Sequence, residues 1–258
     1  MISENIQIEI IPSLEDNYIY LIKNKSENIT SVIDPSDAND VEKLLSSLNW
    51  KLDEIINTHH HLDHTGGNSF LKNSWNAKII APQYEKDKIS NIDIEVKDGD
   101  TILLAGLKTH VIHTPGHTIG HVIYYIPSIP LIFSGDTLFV FGCGRIFEGT
   151  FKNMWESLNK IMQLKSNSMI FCGHEYTKTN LKFALSLEKD NEFLIQKYDF
   201  IKKYNRSPYL SVPSILSDEL KGNPFLRFND DNLKKRLGLK NKSSEDFFAE
   251  LRKMKDSF

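Results

Sequence analysis

The residue pattern predicts an α/β domain followed by a smaller helical one, on three observations. Short apolar or alternating runs recur from Ile6 to Cys172, as strands require. Two stretches among them, near 41–48 and 154–162, switch to helical spacing. From Thr177 onward good strand runs stop and helical spacing remains. That change puts a boundary near residue 175 and divides the chain into segments 1–175 and 176–258.

The elements follow in order. Ile6-Gln7-Ile8-Glu9-Ile10 alternates as a half-buried strand, and Tyr18 to Ile22 and Ile29 to Ile33 continue the pattern. Asp34-Pro35 ends the third run. Asn39-Asp40-Val41-Glu42 offers a capping box, and Val41, Leu44, Leu45 and Leu48 then give one apolar helical face. Asp53 to Asn57, Ala77 to Ala81, Thr101 to Ile112, Val122 to Ile126 and Pro130 to Phe133 read as strands, with Pro115-Gly116 as a turn. Met154, Trp155, Leu158, Ile161 and Met162 mark a helix, and Ser168 to Cys172 the last clear strand. Beyond it, helices are expected around Leu181, Leu185 and Leu187, over Glu192 to Tyr204, and over Ser243 to Lys255 with Phe247, Phe248 and Leu251 as an apolar patch.

The chemistry is concentrated in residues 58–64, Thr-His-His-His-Leu-Asp-His, where a strand meets the turn signal Thr65-Gly66-Gly67-Asn68. Neutral imidazole suits zinc and similar metals, and carboxylate adds charge neutralisation. Alternation sends His59 and His61 to one side, while Asp63 and His64 follow the start of the turn, so one loop could feed two adjacent metals. Further ligands are expected downstream. His117, Asp136 and His174 each stand in or beside a Gly-containing turn after a strand-like run. His60 should point away from its neighbours, His110 lies within a strand run, and His113 and His121 could orient ligands.

Composition bounds the alternatives. The chain has 258 residues, 40% hydrophobic and 25% charged, as an ordinary globular protein does. A net charge of −3 gives no reason to expect nucleic acid or an anionic membrane as partner. The opening residues, Met1-Ile2-Ser3-Glu4-Asn5-Ile6, lack a basic n-region and an apolar core, so no secretory leader is expected. The two cysteines, Cys143 and Cys172, have no CxxC partner and fit a reducing cytoplasm. Cys143 as a nucleophile would need a histidine to activate it, and the nearby ones are assigned to metal.

The segments THHHLDHTGGN (58–68), HTPGHTIGH (113–121), FSGDTLF (133–139), GCGRIFEGT (142–150), CGHEYT (172–177) and NPFLR (223–227), with the C-terminal basic run, resemble the metallo-β-lactamase superfamily and, within it, the glyoxalase II family. The resemblance implies an αββα sandwich followed by a helical substrate-binding domain. It implies two divalent ions, zinc by expectation, with iron or manganese accommodated by the same donors. One ion would take His59, His61 and His117, the other Asp63, His64 and His174, with Asp136 bridging. Asp63 and Asp136 would be the catalytic carboxylates. Glutathione contacts would fall on Arg145, Tyr176, Arg252 and Lys255, and Phe147 stands where the family often has Tyr. Arg252 and Lys255, three apart, share a helix face. The implied reaction is hydrolysis of S-D-lactoylglutathione to D-lactate and glutathione, by a monomer in the cytoplasm. The alternatives are another hydrolase of the superfamily, a mononuclear iron persulfide dioxygenase, or a metal-binding module without catalysis.

Overall fold

A computed structural model describes residues 4–203 and 211–258. By packing, the chain divides into two compact units, 1–113 with 120–135, and 114–119 with 136–258. Residues 136–175 thus fall in the same compact unit as the helical C-terminal segment.

The first unit holds β1 (Ile6–Ser13), β2 (Asn17–Asn24), β3 (Ile29–Ile33), α1 (Ala38–Leu48), β4 (Glu54–Ile56), α2 (Leu62–Thr65), α3 (Asn68–Trp75), β5 (Lys78–Pro82), β6 (Ile94–Val96), β7 (Thr101–Leu104), β8 (Leu107–His113), β9 (Val122–Ile126) and β10 (Leu131–Gly135). Strands β1 to β6 form one sheet in sequence order. Its first two pairings are antiparallel and those of β3, β4, β5 and β6 parallel, so the sheet is mixed. One face packs on α1 and α3 through Ile19, Leu21, Val32, Val41, Leu45, Ile55, Leu71 and Ile79, all fully buried. Strands β10, β9, β8 and β7 pair antiparallel in that order.

Two expectations need correction here. Helix α1 begins two residues earlier than the capping box at Asn39 implies: Asp37 is the N-cap, and its carboxylate accepts from the Asn39 N–H at 2.7 Å. The run from Thr101 to Ile112 is a hairpin, not one strand. Ala105 and Gly106 turn it with φ of 48° and 73°, the left-handed pair that matches strand twist. Ala105 is held there by its N–H, which donates to Ser31 Oγ at 3.0 Å and Glu54 Oε2 at 2.9 Å. An unbroken apolar pattern conceals such a turn because neither Ala nor a single Gly need interrupt it.

The second unit holds β11 (Leu138–Phe139), β12 (Gly142–Cys143), α4 (Phe151–Met162), β13 (Met169–Cys172), α5 (Thr177–Leu187), α6 (Glu192–Lys203), β14 (Ser214–Ile215), α7 (Leu216–Gly222), α8 (Asp231–Arg236) and α9 (Ser244–Asp256). The end of α6 expected at Tyr204 lies outside the described residues. Thr150 caps α4 in a true capping box with Asn153. Strand β14, unexpected from the sequence, is two residues paired with β13, too short for any periodicity to register. Helix α4 packs on α9. Phe183, Phe225 and Phe248 form the aromatic centre, Phe225 stacking on Phe183 at 5.8 Å.

One charged group lies deep in this unit. Glu219 is wholly buried and accepts from the Ser214 hydroxyl at 2.5 Å, the Phe141 N–H at 2.8 Å and the Asn223 amide at 3.0 Å. Burial outweighs these bonds and pushes its carboxyl from 4.5 up to about 7. The unfolded chain therefore releases this proton first, and the group's contribution to stability declines as pH rises from 4.5 towards 7. Glu219→Gln cannot ionise. Its melting temperature relative to the natural chain is expected to improve by several °C between about pH 5 and about pH 8, given roughly 2–4 °C per kcal/mol for a chain of this size. A pH-independent difference in thermal melts would refute the raised carboxyl.

Candidate metal centre

In the first unit, β4 ends at Ile56, Thr58 and His59 follow in a bend rather than in the extended segment expected, and the chain turns at His61 into the single helical turn α2. His59 and His64 are buried, and their ring centroids lie 4.2 Å apart. Ligand atoms of His59 and His61, and likewise of Asp63 and His64, lie within 4.8 Å of each other. His60 points elsewhere, with Nδ1 2.7 Å from the buried Glu85. His121 stacks on His59 at 4.9 Å, His113 stacks on Tyr84, and His110 lies 3.3 Å from Thr101 Oγ1.

Sequence reading passed over Asp34, noted only as a strand end. Its Oδ1 accepts the Thr58 N–H at 2.8 Å, and its Oδ2 accepts the Thr58 hydroxyl at 2.7 Å and lies 3.0 Å from His64 Nδ1. A carboxylate only accepts, so His64 carries its proton on Nδ1. The Thr58 hydroxyl, donating to Asp34, then accepts from His59 Nδ1 at 3.0 Å. Both rings are left with an Nε2 lone pair. That of His59 faces His61 Nδ1 at 3.0 Å, and that of His64 faces Asp63 Oδ2 at 3.7 Å. The available signal was Asp34 ending β3, the strand that pairs with β4. Asn17 was also missed; its amide donates to Asp63 Oδ2 at 3.1 Å and to the Asp63 carbonyl at 3.0 Å.

In the second unit, His117, Asp136 and His174 are all buried. Asp136 Oδ2 lies 3.3 Å from His117 Nε2 and 3.4 Å from His174 Nε2. His117 Nδ1 donates to the Arg145 carbonyl at 2.9 Å, again leaving Nε2 with a lone pair, here towards a carboxylate. Lone pairs aimed at carboxylates, as those of His64 and His117 are, repel unless a cation stands between them. The donor set therefore fits divalent metal in both units. Tyr176 stacks parallel on His174 at 5.0 Å, and Phe139 meets both rings edge-on.

The expected glutathione contacts divide by burial. Arg145 and Phe147 are well exposed, and Phe147 meets His117 edge-on at 5.1 Å. Lys255 is half-buried; burial first, then the charges of Arg252 and Arg145, hold its ammonium below the usual range. Three cations are thus brought together, with Asp256 among them: its carboxylate lies 2.9 Å from Arg252 and 4.0 Å from Arg145. Arg252 itself is 3% exposed. It donates to the Cys143 carbonyl at 2.9 Å and lies over the Phe225 ring, so much of its guanidinium is committed within the fold. Arg252 and Lys255, expected on one helix face, thus differ in how far the fold covers them. Burial pushes the thiols of Cys143 and Cys172 up, which removes the thiolate a nucleophile needs.

Comparison with known proteins identifies the family. The family model of the metallo-β-lactamase superfamily matches residues 14–174, and that of the hydroxyacylglutathione hydrolase C-terminus matches 175–258. A hydroxyacylglutathione hydrolase of Brucella ovis is 43% identical over 255 residues, covering 99% of both chains; one of Brucella canis is equally similar. Among solved structures, ETHE1 from Myxococcus xanthus superposes with a TM-score of 0.68 at 21% identity, over 95% of this chain and 89% of that one. BLEG-1, a B3 metallo-β-lactamase, gives 0.66 at 20%, over 85% and 99%. The fold is that of the metallo-β-lactamases, of α/β class with a helix-rich C-terminal part. Matched along both its parts, the chain belongs to the metallo-β-lactamase superfamily and, within it, to the hydroxyacylglutathione hydrolases.

Proposed function

We propose that this chain is a metal-dependent thioester hydrolase that cleaves S-(2-hydroxyacyl)glutathione, S-D-lactoylglutathione in particular, to glutathione and a 2-hydroxy acid. The observation that carries this reading is the match to hydroxyacylglutathione hydrolases along the whole chain, C-terminal part included. The cations gathered in that part support it, since a glutathione thioester presents carboxylates to pair with. The two family models meet at 174/175, which supports a catalytic domain over 1–175 and a helical substrate-binding domain over 176–258.

The family resemblance implies a dinuclear centre. His59, His61 and His117 would hold one ion, Asp63, His64 and His174 the other, and Asp136 would be shared. Zinc is our first assignment. Bound there, divalent ions supply Lewis acidity and acidify water towards neutrality. Asp34 and the Arg145 carbonyl keep the Nε2 lone pairs of His59, His64 and His117 available. The carboxylates of Asp63 and Asp136 offset positive charge. Arg145 and Lys255 would attract the tripeptide carboxylates, Arg252 would back them from within the fold, and Tyr176 and Phe147 would flank the thioester. Water adds to the acyl carbon, the C–S bond breaks, and the thiolate departs without needing a protein acid. A monomer in the cytoplasm is part of this proposal; both cysteines are free, as a reducing compartment would keep them, and among the described residues no helix is long and apolar enough to cross a membrane.

Purified chain is expected to release thiol from S-D-lactoylglutathione and to carry about two metal ions by elemental analysis, as a shared-carboxylate centre requires. A single iron with sulfur-dioxygenase activity and no thioesterase activity would favour the dioxygenase reading. Asp136→Asn is expected to lower turnover by at least about 100-fold and to cost bound metal; wild-type turnover at full metal content would remove Asp136 from the centre. Lys255→Ala should raise KM for the glutathione thioester about fivefold, as loss of a partly screened ion pair would, while leaving a thioester without the tripeptide unaffected. Equal effects on both substrates would argue against glutathione contact by Lys255.

A further inference from the structure

The hairpin β11–β12 turns through Val140 and Phe141, and Phe141 has φ of 56°, unusual for a bulky side chain. Such a turn persists only where its surroundings determine it. Here buried polar side chains of the C-terminal segment hold its backbone almost group by group. The Phe141 N–H donates to Glu219 at 2.8 Å. The Val140 carbonyl accepts from Asn180 at 3.1 Å, and the Gly142 carbonyl accepts from Asn223 at 3.0 Å. Asn223, from the NPFLR segment, also donates to Glu219 at 3.0 Å, which joins the grips into one network. Asn180 lies so close against Gly142 that no side chain would fit there.

The turn leads directly to the groups that matter. Gly144 follows it, packed against the Asp136 carbonyl where a side chain would again collide, and its N–H donates to Thr137 at 3.2 Å. Arg145 comes next. Its carbonyl accepts from His117 Nδ1, and its side chain is one of the proposed substrate cations. A shift in the turn would move the Arg145 carbonyl and release the orientation of the His117 ring.

We infer that Glu219, with Asn180 and Asn223, is a positioning device: it clamps the 139–143 turn and thereby sets where Arg145 and the His117 ring stand. The inference rests on the proposed thioester hydrolysis for its kinetic consequence, but the clamp itself is testable without turnover. Glutamine can keep the clamp. Its carbonyl can face the Phe141 N–H and the Asn223 amide, and its amide can donate to the Ser214 hydroxyl. Leucine removes every acceptor and leaves those buried donors without a partner.

The experiment compares the natural chain, Glu219→Gln, Glu219→Leu and Asn180→Ala, each as full chain with metal content measured. Amide hydrogen exchange of peptides covering 138–147 reports the turn, and kcat and KM for S-D-lactoylglutathione report its consequence. Glu219→Leu should speed exchange there about tenfold or more and raise KM several-fold, while Glu219→Gln stays within about twofold of the natural chain on both. Asn180→Ala, which removes a single grip, should move both readouts in the same direction by less, and it carries the test if the leucine variant does not fold. Unchanged exchange in Glu219→Leu, or in Asn180→Ala where only that variant folds, overturns the clamp. Faster exchange with unchanged KM overturns the positioning role. A natural chain without thioesterase activity would sink the proposed function instead, while exchange would still decide the clamp.

Discussion

A metal-binding imidazole must present a lone pair, and which nitrogen does so depends on what the other one donates to. In the first unit that dependence converges on one buried carboxylate. Asp34 takes two bonds from Thr58 and one from His64, and through the Thr58 hydroxyl it also determines the protonation of His59. Asp34 stands at the end of β3 with φ of 48°, and its own N–H donates to the Ile56 carbonyl of the neighbouring parallel strand at 2.9 Å. The parallel pairing of β3 with β4 therefore does more than build a sheet. It brings a carboxylate from one strand end against the histidine loop leaving the next. The strain of a left-handed Asp is tolerated because its side chain and its backbone are both held.

The second unit meets the same requirement with different means. His117 is oriented by a backbone carbonyl, that of Arg145, so its ring depends on the path of the chain and not on a side-chain charge. In the proposed function that economy would link metal binding to substrate recognition, since the residue whose carbonyl orients His117 is also a proposed substrate cation. Asp256 keeps Arg145, Arg252 and Lys255 together by partly offsetting their mutual repulsion. A cluster left partly uncompensated is suited to an anionic ligand, whose arrival relieves the remaining repulsion.

Much of this was legible from residues alone. The dense motif at 58–64 announces metal because no structural demand explains four imidazoles beside one carboxylate. His117, Asp136 and His174 share a local context, a turn after a strand, and strand ends are recognisable by period and by glycine. The turn inside 101–112 was hidden because its residues do not interrupt the apolar run. It forms only because Ser31 and Glu54, distant in sequence, accept from Ala105. Strand β14 was hidden because two residues have no period.

The sequence by itself offered the candidate donor residues, most of the longer strands and helices, and the family, since those depend on residue type and on short spacings. Tertiary structure decided which nitrogen of His59, His64 and His117 holds the proton, that Arg252 is an interior group while Arg145 is an open one, and that Glu219 and Asn223 meet a turn some eighty residues away. Those outcomes depend on which chain segments pack together and exclude water. Hydrogen-bond partners, burial and charge neighbours are properties of that packing, and no local run of residues carries them.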